Sequence, residues 1–403
     1  MKSIIDIPKI QQRTFKISDI CDVIKGNTPT MKAIPGKYPL VVTAENRKTC
    51  ENYQFDCEAV CVPLVSSTGH GHADIKRIHY QNGKFALANI MVAIVPKDDK
   101  TISTKYLFHL FNTKKDEILV SLMRGTANVT LKIPQIENIM ISLPSINEQK
   151  MIVSKIEKFN IELSTITQLL QKTDIQLRHW KQSFTSYALG GKQHEGLDNS
   201  KMSETIQIPK GWNIEKLSKL IDDFEKRNPT LNPNKVFKYV EIGSVSEEKK
   251  IQDFKTIIGK NAPSRARNVI RENDIIYGVT RPYYRNVVLI TKEFDNEIAT
   301  TGFCVLRIKN SILLSKYLFY YMLSDLANGQ ILGPMRGHYP AVSNKNVIAI
   351  DILLPPLSTQ KKIIQKLDQI FSLTEYSKNI IKSQFSLLET IEESFLKKYF
   401  QVS

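Results

Sequence analysis

Cysteine, tryptophan, glycine and proline are all scarce in this 403-residue chain, and no long apolar run occurs in it. Five cysteines, an odd number in a chain of this size, do not make a disulfide framework and fit a reducing compartment. Only Cys50, Cys57 and Cys61, with His70, His72 and His79 nearby, raise the question of zinc. Phe55 to Leu64 reads as one strand, on which Cys57 and Cys61 face the same way but lie about 13 Å apart at roughly 3.3 Å per residue, too far for one ion. No metal is expected. No stretch reaches the roughly 18 to 20 apolar residues needed to cross a bilayer, and Met1 to Ile10 lacks the apolar centre of a signal peptide, so a cytoplasmic protein without a membrane partner is expected. With 17 glycines, 17 prolines, 42% hydrophobic and 24% charged residues, disorder is excluded as well.

The signatures of catalysis are also missing. There is no Gly-x-x-x-x-Gly-Lys-Ser/Thr phosphate loop and no Gly-x-Gly-x-x-Gly cofactor turn. Asn228-Pro229-Thr230 and Asn232-Pro233-Asn234 lack the second proline and the aromatic residue of an exocyclic-amine methyltransferase. Glu247-x-Lys249 lacks the preceding Pro-Asp of a nuclease and reads as a charged turn. The chain is expected to catalyse nothing by itself and to hold no cofactor.

What the chain does have is positive charge, 56 Lys and Arg against 40 Asp and Glu for a net +16, which points to a polyanionic partner. It also has a repeat. Lys16-Ile17-Ser18, Asp22, Pro29 and Thr30 recur as Lys216-Leu217-Ser218, Asp222, Pro229 and Thr230. Lys105-Tyr106-Leu107-Phe108 recurs as Lys316-Tyr317-Leu318-Phe319, and Met123-Arg124-Gly125 as Met335-Arg336-Gly337. Leu143-Pro144-Ser145-Ile146-Asn147-Glu148-Gln149-Lys150 recurs as Leu354-Pro355-Pro356-Leu357-Ser358-Thr359-Gln360-Lys361. Order and spacing are kept, so the chain is a tandem duplication. Between the matched blocks, residues 31 to 100 and 231 to 305 share almost no identities, as if one scaffold carried two different surfaces.

After Pro144 the sequence runs without Gly or Pro to Leu189 and stops at Gly190-Gly191, a helix end signal. Ile152, Ile156, Phe159, Leu163, Ile166, Leu170, Leu177, Trp180 and Phe184 fall alternately four and three apart, with Thr173 filling the gap, a heptad seam. The second copy offers Ile363, Leu367, Ile370, Ile381, Leu388, Ile391 and Phe395, with Thr374, Ser377 and Gln384 interrupting. About 42 residues make a rod of about 63 Å. Each stripe needs a partner, and the simplest is the other helix. Because the first helix leads to the second domain and the second helix starts there, the pair should be antiparallel, with a pseudo-twofold axis.

The expected architecture is therefore α/β (α+β): a first domain at 1–145, a long helix at 146–190, a second domain at 191–355 with a linker at 191–207, and a long helix at 356–403. Strands are expected at Ala88–Val95 and Asn286–Thr291, and helices at Thr104–Phe111 and Ser315–Leu323. Candidate DNA-contacting residues lie on Gly-bearing polar loops. They are Asn46, Arg47, Lys48, Ser67, Thr68, His70, His72, Arg124, Thr126 and Asn128 in the first domain. In the second they are Arg265, Arg267, Arg281, Tyr283, Tyr284, Arg285, Arg336, His338 and Tyr339. Arg pairs bidentately with guanine and Asn with adenine, and both also hold phosphates.

The duplicated Leu-Pro-Pro-Leu-Ser-Thr-Gln-Lys type segment, the Arg-Gly about 20 residues before it, and the alternation of variable domain with long helix resemble the specificity subunit of type I restriction-modification systems. In the second copy Thr359 replaces the usual Glu. The resemblance implies two target recognition domains, each reading half of a split sequence in double-stranded DNA, with the helices as a ruler. It also implies docking of two methyltransferase subunits that supply the S-adenosylmethionine chemistry, and restriction subunits that supply ATP-driven cleavage. A rod of about 63 Å can hold two sites about one DNA turn, roughly 34 Å, apart. The alternatives are the specificity subunit of a fused restriction-modification enzyme, a non-specific basic coiled-coil scaffold, and a stand-alone nuclease or methyltransferase, the last opposed by the missing motifs.

Overall fold

Apolar runs such as Ala59–Pro63 (AVCVP) and Met91–Pro96 (MVAIVP) are long enough only for strands, and they lie at the centre of a sheet, where both faces are covered. In the computed structural model, which describes residues 12–68, 71–126, 128–190, 208–309, 311–333 and 342–400, the chain forms two sheet-rich domains, with a long helix, Ile146–Ala188, between them. By contacts it divides into two compact units, Met1–Gln168 with Gln384–Ser403, and Leu169–Ser383.

The first unit holds two four-stranded sheets. One runs Cys21–Lys25, Met91–Pro96, Ala59–Pro63, His79–Gln81, all antiparallel. The other runs Lys48–Cys50, Tyr38–Val41, Lys84–Leu87, Phe55–Asp56, its middle pair parallel. A ribbon of Arg13–Lys16 with Met140–Leu143 brings the start of the domain to its end. The second unit repeats this order strand for strand. One sheet runs Ile221–Asp222, Phe303–Ile308, Ile275–Gly278, Val287–Leu289. The other runs Lys255–Ile258, Val236–Val240, Glu297–Thr300, Ala266–Ile270, again with the middle pair parallel. Its closing ribbon is Asn213–Lys216 with Asp351–Leu354.

The expected strands were too long. Phe55–Leu64 is two strands, Phe55–Asp56 and Ala59–Pro63, which belong to different sheets, with the polar Cys57-Glu58 step between them. Ala88–Val95 likewise hides a crossing: Lys84–Leu87 ends one strand and Met91–Pro96 begins another, with the turn fixed by Met91 N–H donating to Ala88 O at 2.9 Å. Each crossing is marked only by one or two exposed polar residues, Asp56 and Glu58 in the first and Asn89 in the second, too few to read as a turn between apolar runs. Asn286–Thr291 shortens to Val287–Leu289. The helices fall at Thr104–Thr113 and Ser315–Leu323.

The second long helix is Leu357–Phe400. Within the first unit its end packs on the beginning of the first helix. The Phe159 and Phe395 rings stack at 3.9 Å, and the Lys155 ammonium lies 5.9 Å from the centre of the Tyr399 ring. The partner numbers rise as the first-helix numbers fall, so the pairing there is antiparallel. In the second unit the end of the first helix meets the beginning of the second, with Lys181 Nζ 3.7 Å from the centre of the Phe371 ring. Ile152, Ile156, Ile363, Leu367, Ile370 and Ile381 are buried, and Phe159, Leu163, Leu170, Leu177 and Leu388 are half-buried. Ile166, Trp180 and Ile391 remain 45%, 50% and 41% exposed, so the seam is not continuous at those positions. Thr374 occupies a buried seam slot and satisfies its hydroxyl on Phe371 O at 3.0 Å. The first helix ends at Gly190, whose φ of +91° and close approach to Leu353 and Trp212 require glycine.

The repeated sequence blocks form the joint between domain and helix. Gln149 is fully buried: its amide donates to Thr101 O and Pro144 O, both at 3.0 Å, and its carbonyl accepts from Ser103 N–H at 2.9 Å. Gln360, also fully buried, does the same with Ile312 O (2.7 Å), Pro355 O (2.9 Å) and Leu314 N–H (2.9 Å). The repeated lysines reach acids on the long helices, Lys105 to Glu157 at 2.6 Å and Lys316 to Asp368 at 2.8 Å. The Glu-to-Thr departure in the second copy has a local cause. Glu148 closes a capping box by accepting from Ser145 N–H (2.9 Å) and Oγ (2.6 Å). In the second copy Pro356 stands at the serine's place and has no N–H to cap, so the carboxylate has no task.

Candidate nucleic-acid interface

Strand order makes the loop between Ala59–Pro63 and His79–Gln81 the counterpart of the loop between Ile275–Gly278 and Val287–Leu289. No sequence identity links them. Most of the candidate residues lie on or beside these two loops.

In the first unit the loop is knotted by Ser66. Its hydroxyl donates to His72 O at 2.6 Å and accepts from Asp74 N–H at 3.1 Å, and Thr68 Oγ1 also reaches His72 O at 3.0 Å. Ser66 N–H donates to Val129 O, and Arg124 and Thr130 exchange backbone bonds at 2.9 Å, which lays the segment 124–130 beside the loop. Ser67, Thr68, His72, Arg124, Thr126 and Asn128 are therefore gathered and exposed. The Arg124 guanidinium is turned inward onto Ser121 O (2.7 Å) and Met123 O (2.8 Å). Asn46, Arg47 and Lys48 lie apart from this group, on the turn between Tyr38–Val41 and Lys48–Cys50. Asn46 and Lys48 face solvent, whereas Arg47 is half-buried and donates to His79 Nδ1 at 2.9 Å, leaving the ring proton on Nε2. Burial, reinforced by Arg47, pushes the His79 pKa down to about 4, so it stays neutral near pH 7. Arg77 joins the two groups by an ion pair with Glu45 at 2.6 Å.

In the second unit the loop is short. Arg281 (φ +52°) and Arg285 (φ +47°) both hold left-handed conformations around a single turn, Pro282–Tyr284. Tyr283 and Tyr284 are about half exposed, their ring centres 4.7 Å apart. Arg281 is exposed, and its guanidinium makes no bond within the described residues. Arg285 instead is half-buried, donating to Asp325 at 2.6 Å and to Leu323 O at 3.1 Å. Arg265 joins the group through the backbone, since Thr301 N–H donates to Arg265 O and Val279 N–H to Gly302 O, both at 2.9 Å. Arg265 is exposed, whereas Arg267 folds back onto Ala266 O at 2.7 Å. His70, Arg336, His338 and Tyr339 lie outside the described residues.

The structure thus sorts the candidates into outward-facing groups and inward-facing supports. Arg77, Lys115 and Asp325, which help to hold the loops, were not singled out from sequence because their partners lie 32 to 143 residues away along the chain. Lys115 Nζ donates to Ile75 O, and Lys249 Nζ to Tyr284 O, both at 2.9 Å. Glu247 and Glu248 belong to a turn and pair with Lys378. Among the described residues no cluster of three or more His, Cys, Asp or Glu is placed to hold a metal ion, and no helix is long and apolar enough to cross a membrane.

Comparison with known proteins gives the same two-part division. The family model of the type I restriction modification DNA specificity domain matches residues 11–174 and again residues 209–383. The EcoDI specificity subunit of a type I restriction enzyme from Escherichia coli is 23% identical over 96% of this chain and 88% of its own. The MjaVIII specificity subunit from Methanocaldococcus jannaschii is 25% identical, over 89% of this chain and 86% of its own. A chain of a solved type I R-M system shares the fold, with a TM-score of 0.68 at 17% identity over 98% of this chain and 99% of that one. Two matches to one domain model, on two units of the same strand order, make this chain a member of the type I restriction-modification DNA specificity family.

Proposed function

We propose that the chain is the specificity subunit of a type I restriction-modification complex, binding double-stranded DNA and reading a bipartite target with one domain per half-site. One observation carries this reading: two units of identical strand order present chemically different loops at the same place. The first offers hydroxyls, His72 and Asn128; the second offers Arg265, Arg281, Tyr283 and Tyr284. A protein that held DNA only by phosphate charge would not need two dissimilar surfaces.

Of the outward-facing residues, Asn46, Lys48, Thr68, His72, Thr126, Asn128, Arg265, Arg281, Tyr283 and Tyr284 are proposed as the contacts. Arg47, Arg124, Arg267 and Arg285 are proposed as supports, since their guanidinium groups are engaged within the protein. The chain itself is proposed to be non-catalytic. Modification would come from two docked methyltransferase subunits and cleavage from restriction subunits, with the long helices setting the gap between half-sites.

The test is methylome sequencing of cells that express the chain with its methyltransferase partner, compared with cells lacking the chain. A new split motif with a fixed gap is the expected result. An unchanged methylome, with both proteins soluble and associated, would favour a non-specific scaffold.

A further inference from the structure

The second unit carries a contact chain that the proposed reading does not use. Asp325, the first residue of the helix Asp325–Leu332 that follows Ser315–Leu323, is the meeting point. Its Oδ1 accepts from Arg285 Nη2 and from Gln182 Nε2, both at 2.6 Å, and its Oδ2 lies 3.4 Å from the Ser186 hydroxyl. Gln182 and Ser186 are on the first long helix, and Arg285 ends the exposed loop that carries Arg281 and Tyr283. One carboxylate thus ties the loop to the helix.

Two further features make this tie consequential. Arg285 is left-handed, a conformation that a side chain bearing a Cβ keeps only where its surroundings hold it. Removing its anchor lets the backbone relax and carry Arg281 and Tyr283 with it. A second strap lies beside the first: Lys249 Nζ donates to Tyr284 O, and Lys249 lines a cavity of about 280 Å³ with Lys181 and Phe371 of the two long helices. In the first unit the corresponding loop is held by Lys115 on Ile75 O.

We infer that Asp325 is a positioning residue for target specificity, fixing the geometry of the second unit's reading loop against the first long helix without touching DNA. This rests on the proposed function, and two readouts separate their failures. In hydrogen exchange on the purified full chain, Asp325→Asn should raise exchange across 279–286 by about tenfold, the effect of releasing a strained conformation. Exchange in the first unit and the melting temperature should stay near wild type.

In the methylome experiment the same variant should blur one half of the split motif, leaving the other half and the gap unchanged, and Asp325→Glu should restore part of the selectivity. Gln182→Ala, which cuts only the helix side, should do the same more weakly. An unchanged exchange rate at 279–286 would overturn the brace. Raised exchange with an unaltered motif, or with equal loss at both halves, would overturn its role in specificity. If wild type itself yields no motif, the proposed function fails and the specificity role with it, while the exchange result still decides whether the brace exists.

Discussion

The two units share a frame and differ in what the frame holds. The buried Gln149 and Gln360 side chains make the same three hydrogen bonds, and Lys105 and Lys316 make the same ion pair to a long helix. The loops at the matching place have nothing in common. One is a long segment closed by Ser66 and Thr68, the other a single turn between two left-handed arginines. A buried polar joint tolerates little change because every group in it must find its partner, whereas an exposed loop only has to be held at its base. This is how one fold can carry two recognition surfaces.

The largest expected effect strikes what the units share. Gln149→Leu or Gln360→Leu removes three hydrogen bonds from a partly buried joint and should cost roughly 3 to 5 kcal/mol in urea unfolding. Similar losses at both positions are expected, and a large loss at only one would break the equivalence of the joints.

Next comes a difference between the units. The His79 pKa is held down by burial and Arg47, and that of His109 is lowered mainly by burial, both in the first unit. A group with a depressed folded pKa favours its neutral form. Its contribution is complete above the unfolded value of about 6.5 and is lost as pH falls toward 4, at most roughly 3 kcal/mol for His79. Exchange followed between pH 7.5 and 4.5 should show the first unit loosening ahead of the second. His79→Gln should remove most of the difference.

A third effect concerns binding. Arg281→Ala should weaken DNA binding by about 1 to 3 kcal/mol. Relaxed preference at one half-site would make it a base contact, whereas uniform weakening with a shallower salt dependence would make it a phosphate contact. The smallest effect tests the caps. Glu148→Ala should cost about 1 kcal/mol by opening the capping box, and Thr359→Ala close to nothing, because Pro356 has no N–H to satisfy. Paired melting curves would separate the two.

Much of the frame was legible in the sequence. The duplicated blocks, the Gly-free and Pro-free runs and the Gly190 stop located both long helices, because helix periodicity and its termination are local properties. The strand breaks at Cys57-Glu58 and at Ala88–Ile90 were not legible, since a single exposed polar residue such as Glu58 or Asn89 between apolar runs also fits the alternation of one continuous strand. Among the candidate contacts, residue type alone could not distinguish Arg281, which faces solvent, from Arg285, which is engaged by Asp325.

The sequence by itself determined that the chain is a duplication, that it is basic, and where its helices run, since repeats, charge and periodicity are written along one dimension. Tertiary structure alone decided that residues 64–78 correspond to 279–286, which arginines face outward, and why Gln149 and Gln360 recur. Those facts depend on pairings between residues tens of positions apart, such as Gln149 with Thr101 and Asp325 with Gln182. Such pairings exist only once burial removes water as the competing partner and leaves each polar group to be satisfied by the protein.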